Sequence, residues 1–343
     1  MPSTDFTNII GGQSRETSKE DHKIISYDCF KKVILSSLPK EKGLAALDLY
    51  LFQSFWCLAT LINPINFFQN HFQAKDSDII VASMPKAGTT WLKALTFAIV
   101  NRYSIEMHDH PLLKSNSHEL VPFFEFSIYG DSLDKIHELS NMVEPRLFGT
   151  HIPFHSLAKS TKESNCKIIY ICRNPFDTFI STWFFINKIR SNESLPMLNI
   201  DEAFEMYCKG RNVFGPFWNH MLGYYNESIA RPDKVLFLKY EELKEDANFQ
   251  VKRIAKFLSY PFTQEEESNR VIENIINLCC FETMKDLEVN KSGTLSRLQK
   301  KHLFRKAEIG DWKNYLSPSM VQKLSKVTEE MLGESSLSFE VYH

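Results

Sequence analysis

Asp78 to Trp91, D-I-I-V-A-S-M-P-K-A-G-T-T-W, decides how the rest of the chain is read. The run Asp78-Ile79-Ile80-Val81-Ala82 has the β-branched density of a buried strand, and Trp91 to Ile99 has the composition of a helix packed on a sheet. Between them lies a tight turn. Gly88, followed by Thr89 and Thr90, lets the backbone pass close to a ligand and aims N–H groups and hydroxyls at one spot, where a helix N-terminus favours an anion. Lys86 adds a full positive charge. This is a P-loop-like phosphate or sulfate cradle, but not a Walker A sequence, in which the lysine directly follows the second glycine. In this chain the lysine stands two residues before Gly88.

The same grammar recurs downstream. Arg146 to Thr150 reads as a second strand, leading into His151-Ile152-Pro153. Lys167 to Cys172 reads as a third, ended by Arg173-Asn174-Pro175, with Asn174 as cap and Pro175 in the first helical position of a helix to about Arg190. Lys234 to Tyr240 is the fourth strand. Strands alternating with helices, each followed by polar residues at its C-terminal end, predict an α/β fold with a central parallel sheet flanked by helices. The ligand then belongs outside the carboxyl ends of the strands.

Other stretches are less regular. Residues 1–20 read as a flexible N-terminal tail and 21–343 as a single domain. Leu49 to Ile62 reads as a buried or lid-forming helix closed by Pro64, too short to cross a membrane. Residues 201–230 read as helix with a break at Gly215-Pro216. Helices are also expected over Ala247–Leu258, Thr263–Asn277 and Ser317–Leu332.

Composition narrows the function. With 43% hydrophobic residues the chain has ample material for a core. A net charge of −2 gives no global attraction to nucleic acid or an anionic membrane, so any anion site is local. Seven cysteines without C-x-x-C spacing, and no signal peptide, point to a reducing, cytoplasmic setting. His108, His110 and His118 lack a neighbouring Cys or carboxylate pattern of metal-site spacing, so no metal is expected. His151 directly follows a predicted strand beside the phosphate loop, which makes it the best candidate base. Arg173 ends a strand parallel to the first, so it and Lys86 reach toward one ligand.

Taken together, Pro85-Lys86-Ala87-Gly88-Thr89-Thr90-Trp91, Thr150-His151-Ile152-Pro153, Arg173-Asn174-Pro175-Phe176-Asp177, Tyr240-Glu241-Glu242-Leu243 and Phe304-Arg305-Lys306-Ala307 resemble the cytosolic sulfotransferase family. The resemblance extends over roughly residues 38 to 340. Leu49 to Trp56 and Leu120 to Glu125 look like the plant branch, whose members sulfate flavonols, brassinosteroids and hydroxyjasmonates, the last being nearest.

This resemblance implies 3′-phosphoadenosine 5′-phosphosulfate as co-substrate and a small-molecule hydroxyl as acceptor. Lys86 through Trp91 would hold the 5′-phosphosulfate, and Arg173 and Ser181 the 3′-phosphate. Trp91, Tyr240 and Phe281 would surround adenine, and Arg305 and Lys306 would close over the 3′-phosphate. His151 would act as general base and Lys86 would stabilise the leaving phosphate. The sequence departs from the family pattern twice. Ala87 replaces the serine of P-K-S-G, and Ala307 the glycine of R-K-G. The short dimer motif is also unmatched at Lys313 to Pro318, so no dimer is expected. Two alternatives stay open: a catalytically weakened nucleotide- or acceptor-binding protein of the same fold, motivated by Ala87 and Ala307, and a nucleotide kinase, for which no Walker lysine is present.

Overall fold

In the computed structural model the described residues are 35–44, 47–103, 107–130, 139–295, 298–333 and 335–339. The chain divides into two units, Met1–Pro39 and Lys40–His343, and the central sheet with its helices lies in the second. The tail expected at 1–20 lies outside the described residues.

The second unit opens with an antiparallel meander of β1 (Lys40–Lys42), β2 (Asp48–Phe52) and β3 (Phe55–Leu58). This corrects the helix expected over Leu49–Ile62. Gln53 and Ser54 turn the chain with positive φ values of 48° and 67°, and the aromatic run folds back on itself with Leu49, Phe55 and Cys57 buried. Helix α1 (Ala59–His71) starts only after this hairpin, and Pro64 lies inside it rather than closing it.

Four strands form the central sheet: β4 (Ile79–Ser83), β5 (Leu147–Thr150), β6 (Lys167–Cys172) and β7 (Val235–Lys239). Their order is β5-β4-β6-β7, all parallel, with Val81 opposite both Gly149 and Ile169. The central strands are hydrophobic on both faces, as a sheet covered by helices requires; Ile80, Val81, Ile168 and Ile169 have no exposed surface. Helix α2 (Thr89–Asn101) buries Leu92, Leu95 and Ile99, and each such side chain contributes about 1.5–3 kcal/mol.

Helix α3 (Pro175–Asn192) follows β6, with the Asn174 side chain accepting from the Asp177 N–H at 2.8 Å and Pro175 in the first turn. Helix α4 (Phe217–Ala230) begins after the expected break at Gly215-Pro216, and α5 (Tyr240–Glu245) begins at the end of β7. Helix α6 (Ala247–Phe257) matches expectation. The helix expected over Thr263–Asn277 is two, because Arg270 takes a left-handed φ of 58°; the second is α7 (Val271–Cys279). Helices α8 (Phe281–Asp286) and α9 (Pro318–Leu332) complete the frame.

Sheet order fixes where a ligand sits. From β4 the chain passes to β5 on one side, then returns across β4 to β6, so the strand order reverses at β4. A crevice outside the carboxyl ends of the strands opens at such a point. The residues just beyond those ends are the Lys86 loop, His151, Arg173 and Tyr240.

Candidate active site

The loop from Met84 to Gly88 is shaped by its backbone. Gly88 has φ 112°, and a Cβ there would stand 2.9 Å from Cδ2 of Tyr240, so both conformation and space require glycine. Lys86 has φ 69°, a left-handed conformation that L side chains rarely take. Ala87 is fully buried and its N–H donates to the Met84 carbonyl at 3.2 Å. Helix α2 then starts at Thr89, and the N–H groups of its first turn have no partner within the helix. Thr89 Oγ1 lies 2.6 Å from Ser83 Oγ, and Thr90 Oγ1 lies 2.9 Å from His118 Nε2.

Positive charge converges on this loop. Burial, then the nearby cations Lys188, Arg305 and Arg173, push the Lys86 ammonium down to about 7. Its Nζ lies 4.5 Å from the centre of the Phe185 ring. Arg173, buried at the end of β6, has its guanidinium carbon 4.5 Å from the Tyr240 ring centre and donates to the Glu308 carbonyl. Its Nε is buried without a partner, as is Nε1 of Trp91. Clustered cations and unsatisfied donors fit an anionic, aromatic ligand.

The C-terminal loop is tied to the same place by Asp177. That buried carboxylate accepts from the Gly310 N–H at 2.8 Å and the Trp312 N–H at 3.1 Å. Arg305 and Lys306 both pair with Asp311, the latter at 2.8 Å, so in this structure both are engaged within their own loop. Ala307 holds φ 57°, and its carbonyl accepts from Tyr240 Oη at 3.2 Å. Tyr240 also meets Trp91 edge to face at 5.5 Å. Phe281, at the start of α8, packs 6.2 Å from Phe304, and Ser181 is buried on α3.

His151 lies at the end of β5, beside the loop. Its Nδ1 is 2.7 Å from the Ser83 carbonyl, which only an N–H can satisfy; Nδ1 therefore carries the proton and Nε2 presents a lone pair. Burial, then the neighbouring Lys93, His220 and Lys86, push its pKa down to about 3, against the opposing pull of the Ser83 bond. Phe123, Phe214 and Phe126 surround the imidazole at centroid distances of 4.7, 5.6 and 6.2 Å.

Sequence reasoning missed several neighbours. Ser83 is an ordinary strand residue until its two contacts are seen, and Asp177 carries no signal of its own beyond its place in the Arg173–Asp177 motif. His118, weighed as a metal ligand, instead faces Thr90. His110 Nδ1 is likewise taken, accepting from the Leu112 N–H at 3.2 Å.

Comparison with known proteins gives the family. Residues 76–336 match the family described as Sulfotransferase domain. The chain is 48% identical to cytosolic sulfotransferase 15 of Arabidopsis thaliana over 336 residues, covering 96% of this chain and 92% of that one. It is 50% identical to cytosolic sulfotransferase 14 of the same plant over 329 residues, covering 94% and 93%. Among solved structures, an Arabidopsis thaliana sulphotransferase is 38% identical with TM-score 0.73, covering 96% of this chain and all of that one. Mouse SULT7A1, crystallised with PAP, is 25% identical with TM-score 0.63, covering 84% and 96%. The chain belongs to the plant cytosolic sulfotransferases, enzymes that take a sulfuryl group from 3′-phosphoadenosine 5′-phosphosulfate.

Proposed function

We propose that this enzyme sulfates the hydroxyl of a small plant metabolite of the hydroxyjasmonate, flavonol or brassinosteroid type in the cytosol, with His151 as general base. The observation that carries the reading is the bare Nε2 of His151, enclosed by Phe123, Phe126 and Phe214. An apolar enclosure around one proton acceptor suits a hydrophobic molecule bearing a hydroxyl.

The bound donor supplies the transferable sulfuryl group. Lys86, the loop residues Ala87 and Gly88, and Thr89, Thr90 and Trp91 of the first turn of α2 would hold its phosphosulfate end. Arg173, Ser181, Arg305, Lys306 and the backbone at Ala307 hold the 3′-phosphate, with Trp91, Tyr240 and Phe281 around adenine. His151 Nε2 takes the acceptor proton, while Nδ1–H stays on the Ser83 carbonyl. Lys86 stays near the leaving phosphate oxygen, where its charge lowers the barrier most. A neutral imidazole is available at every physiological pH. Anionic charge beside Lys86 relieves one of the influences that depress His151.

The test is transfer of radiolabelled sulfuryl to hydroxyjasmonate, the flavonol quercetin and a brassinosteroid. Transfer to at least one is expected; none, despite calorimetric binding of 3′-phosphoadenosine 5′-phosphate, would overturn the reading.

A further inference from the structure

Two buried titratable side chains on the acceptor side have no part in that chemistry. Lys93, on α2, has no exposed surface. Its Nζ donates to the Val121 carbonyl at 2.8 Å and stands 3.0 Å from the centre of the Phe123 ring. The amine reaches this position only because residue 149 is glycine: a Cβ on Gly149 would overlap Cε and Nζ of Lys93. Gly149 in turn donates to the Pro122 carbonyl at 2.8 Å, and Phe123 pairs with Gly149 as a parallel bridge. The segment from Val121 thus runs beside β5 as a short extension of the sheet.

Two residues past Phe123, the chain is fastened again. Glu125, also without exposed surface, accepts from the His151 N–H at 2.6 Å and from Thr150 Oγ1 at 3.1 Å. Between and beside these ties lie Phe123 and Phe126, two of the three rings around the His151 imidazole. Burial pushes the Lys93 ammonium well below its ordinary value and the Glu125 carboxyl up, so enclosing these two groups costs free energy and their placement calls for an account other than stability.

We propose that Lys93, Gly149 and Glu125 form a buried clamp that positions the Phe123–Phe126 wall against His151, fixing where an acceptor hydroxyl meets the base. Lys93 and Glu125 are positioning residues, acting through the wall and the His151 backbone. The inference rests on His151 being the base, but the clamp itself is a property of the free protein. The groups facing Glu125 are Lys93 from α2, Thr150 at the end of β5 and His151 just beyond it, Cys57 from β3 and Tyr224 from α4. Burial first, opposed by its hydrogen bonds and Lys93, pushes the Glu125 carboxyl up to about 7. Protonation costs it one acceptor oxygen, so acid loosens the clamp.

The experiment uses the full chain and the variants Lys93→Met, Glu125→Gln, Glu125→Ala and Phe126→Ala; Phe126 is partly exposed, so its replacement leaves folding intact. Hydrogen exchange over residues 121–129 should rise about tenfold or more in Lys93→Met and Glu125→Ala. Calorimetric Kd for 3′-phosphoadenosine 5′-phosphate should stay within about twofold in all four, since the Lys93 amine bonds the Val121 carbonyl and Glu125 bonds Thr150 and His151, none of them in the donor loop. For hydroxyjasmonate or quercetin, acceptor kcat/KM should fall about tenfold to a hundredfold. Glu125→Gln, which keeps one carbonyl oxygen for the His151 N–H, should retain more activity than Glu125→Ala and lose the acid limb of the wild-type profile near pH 7. Unchanged exchange over 121–129, or donor affinity falling in step with acceptor kcat/KM, would overturn the clamp. Wild-type enzyme that sulfates none of hydroxyjasmonate, quercetin and a brassinosteroid would sink the acceptor assignment, leaving the exchange and donor-affinity arms to decide the clamp.

Discussion

The carbonyl of Ser83 accepts the Nδ1–H of His151 at 2.7 Å, and the hydroxyl of the same Ser83 meets Thr89 Oγ1 at 2.6 Å. One residue at the end of β4 therefore touches both the base and the donor loop. The first contact fixes the tautomer; the second sets the first threonine of α2. With the His151 pKa near 3, its imidazole should not titrate between about pH 5 and 8, and nitrogen-15 spectra should show protonated Nδ1 and bare Nε2 throughout. A titration midpoint near the ordinary histidine value would contradict this.

Lys86 carries the pH dependence of donor binding. In the free protein it titrates at about 7, and an anion beside it raises that value. A group whose pKa rises on binding contributes affinity that is complete below its free value and is lost as pH climbs toward the bound value. Calorimetric affinity for 3′-phosphoadenosine 5′-phosphate should be flat below about pH 7 and weaken by up to about tenfold per pH unit above it. Lys86→Met should abolish that slope.

Ala307 sits at φ 57°, where an L side chain is disfavoured by about 1–2 kcal/mol and glycine is not. Its carbonyl holds Tyr240, so the strain falls on the loop beside Arg305. Ala307→Gly should tighten donor binding or raise Tm, and a variant worse on both counts would show that the methyl group makes a useful contact.

Asp177 is the tie between α3 and the C-terminal loop. Asp177→Ala leaves the Gly310 and Trp312 N–H groups without their acceptor, each costing about 1–3 kcal/mol if it stays buried. Both Tm and donor affinity should fall, and hydrogen exchange should rise over 304–315. An unchanged loop would mean that the Arg305 and Lys306 pairs with Asp311 suffice to hold it.

Much of this architecture was legible because the strands carry their own signal. Lys167–Cys172 matches its strand end for end, and the other three agree within a residue or so. Each strand hands directly to a residue or loop singled out for chemistry, since a parallel sheet exposes its chemistry at one end. What escaped reading depends on contacts distant in sequence. Leu49–Ile62 reads as one helix because its apolar residues run on and the turn at Gln53-Ser54 lacks glycine or asparagine. Arg270 breaks a helix with nothing in its residue type to announce it. Ser83, Lys93 and Glu125 acquire meaning only from partners 68, 28 and 26 positions away.

The central claim is that His151 Nε2 accepts the acceptor proton. It is tested most directly by comparing wild type with His151→Ala in sulfuryl transfer, alongside calorimetry of 3′-phosphoadenosine 5′-phosphate. The account predicts that kcat falls by about 10²- to 10⁴-fold while nucleotide affinity is retained. Transfer at the wild-type rate by a folded, nucleotide-binding His151→Ala variant would contradict it.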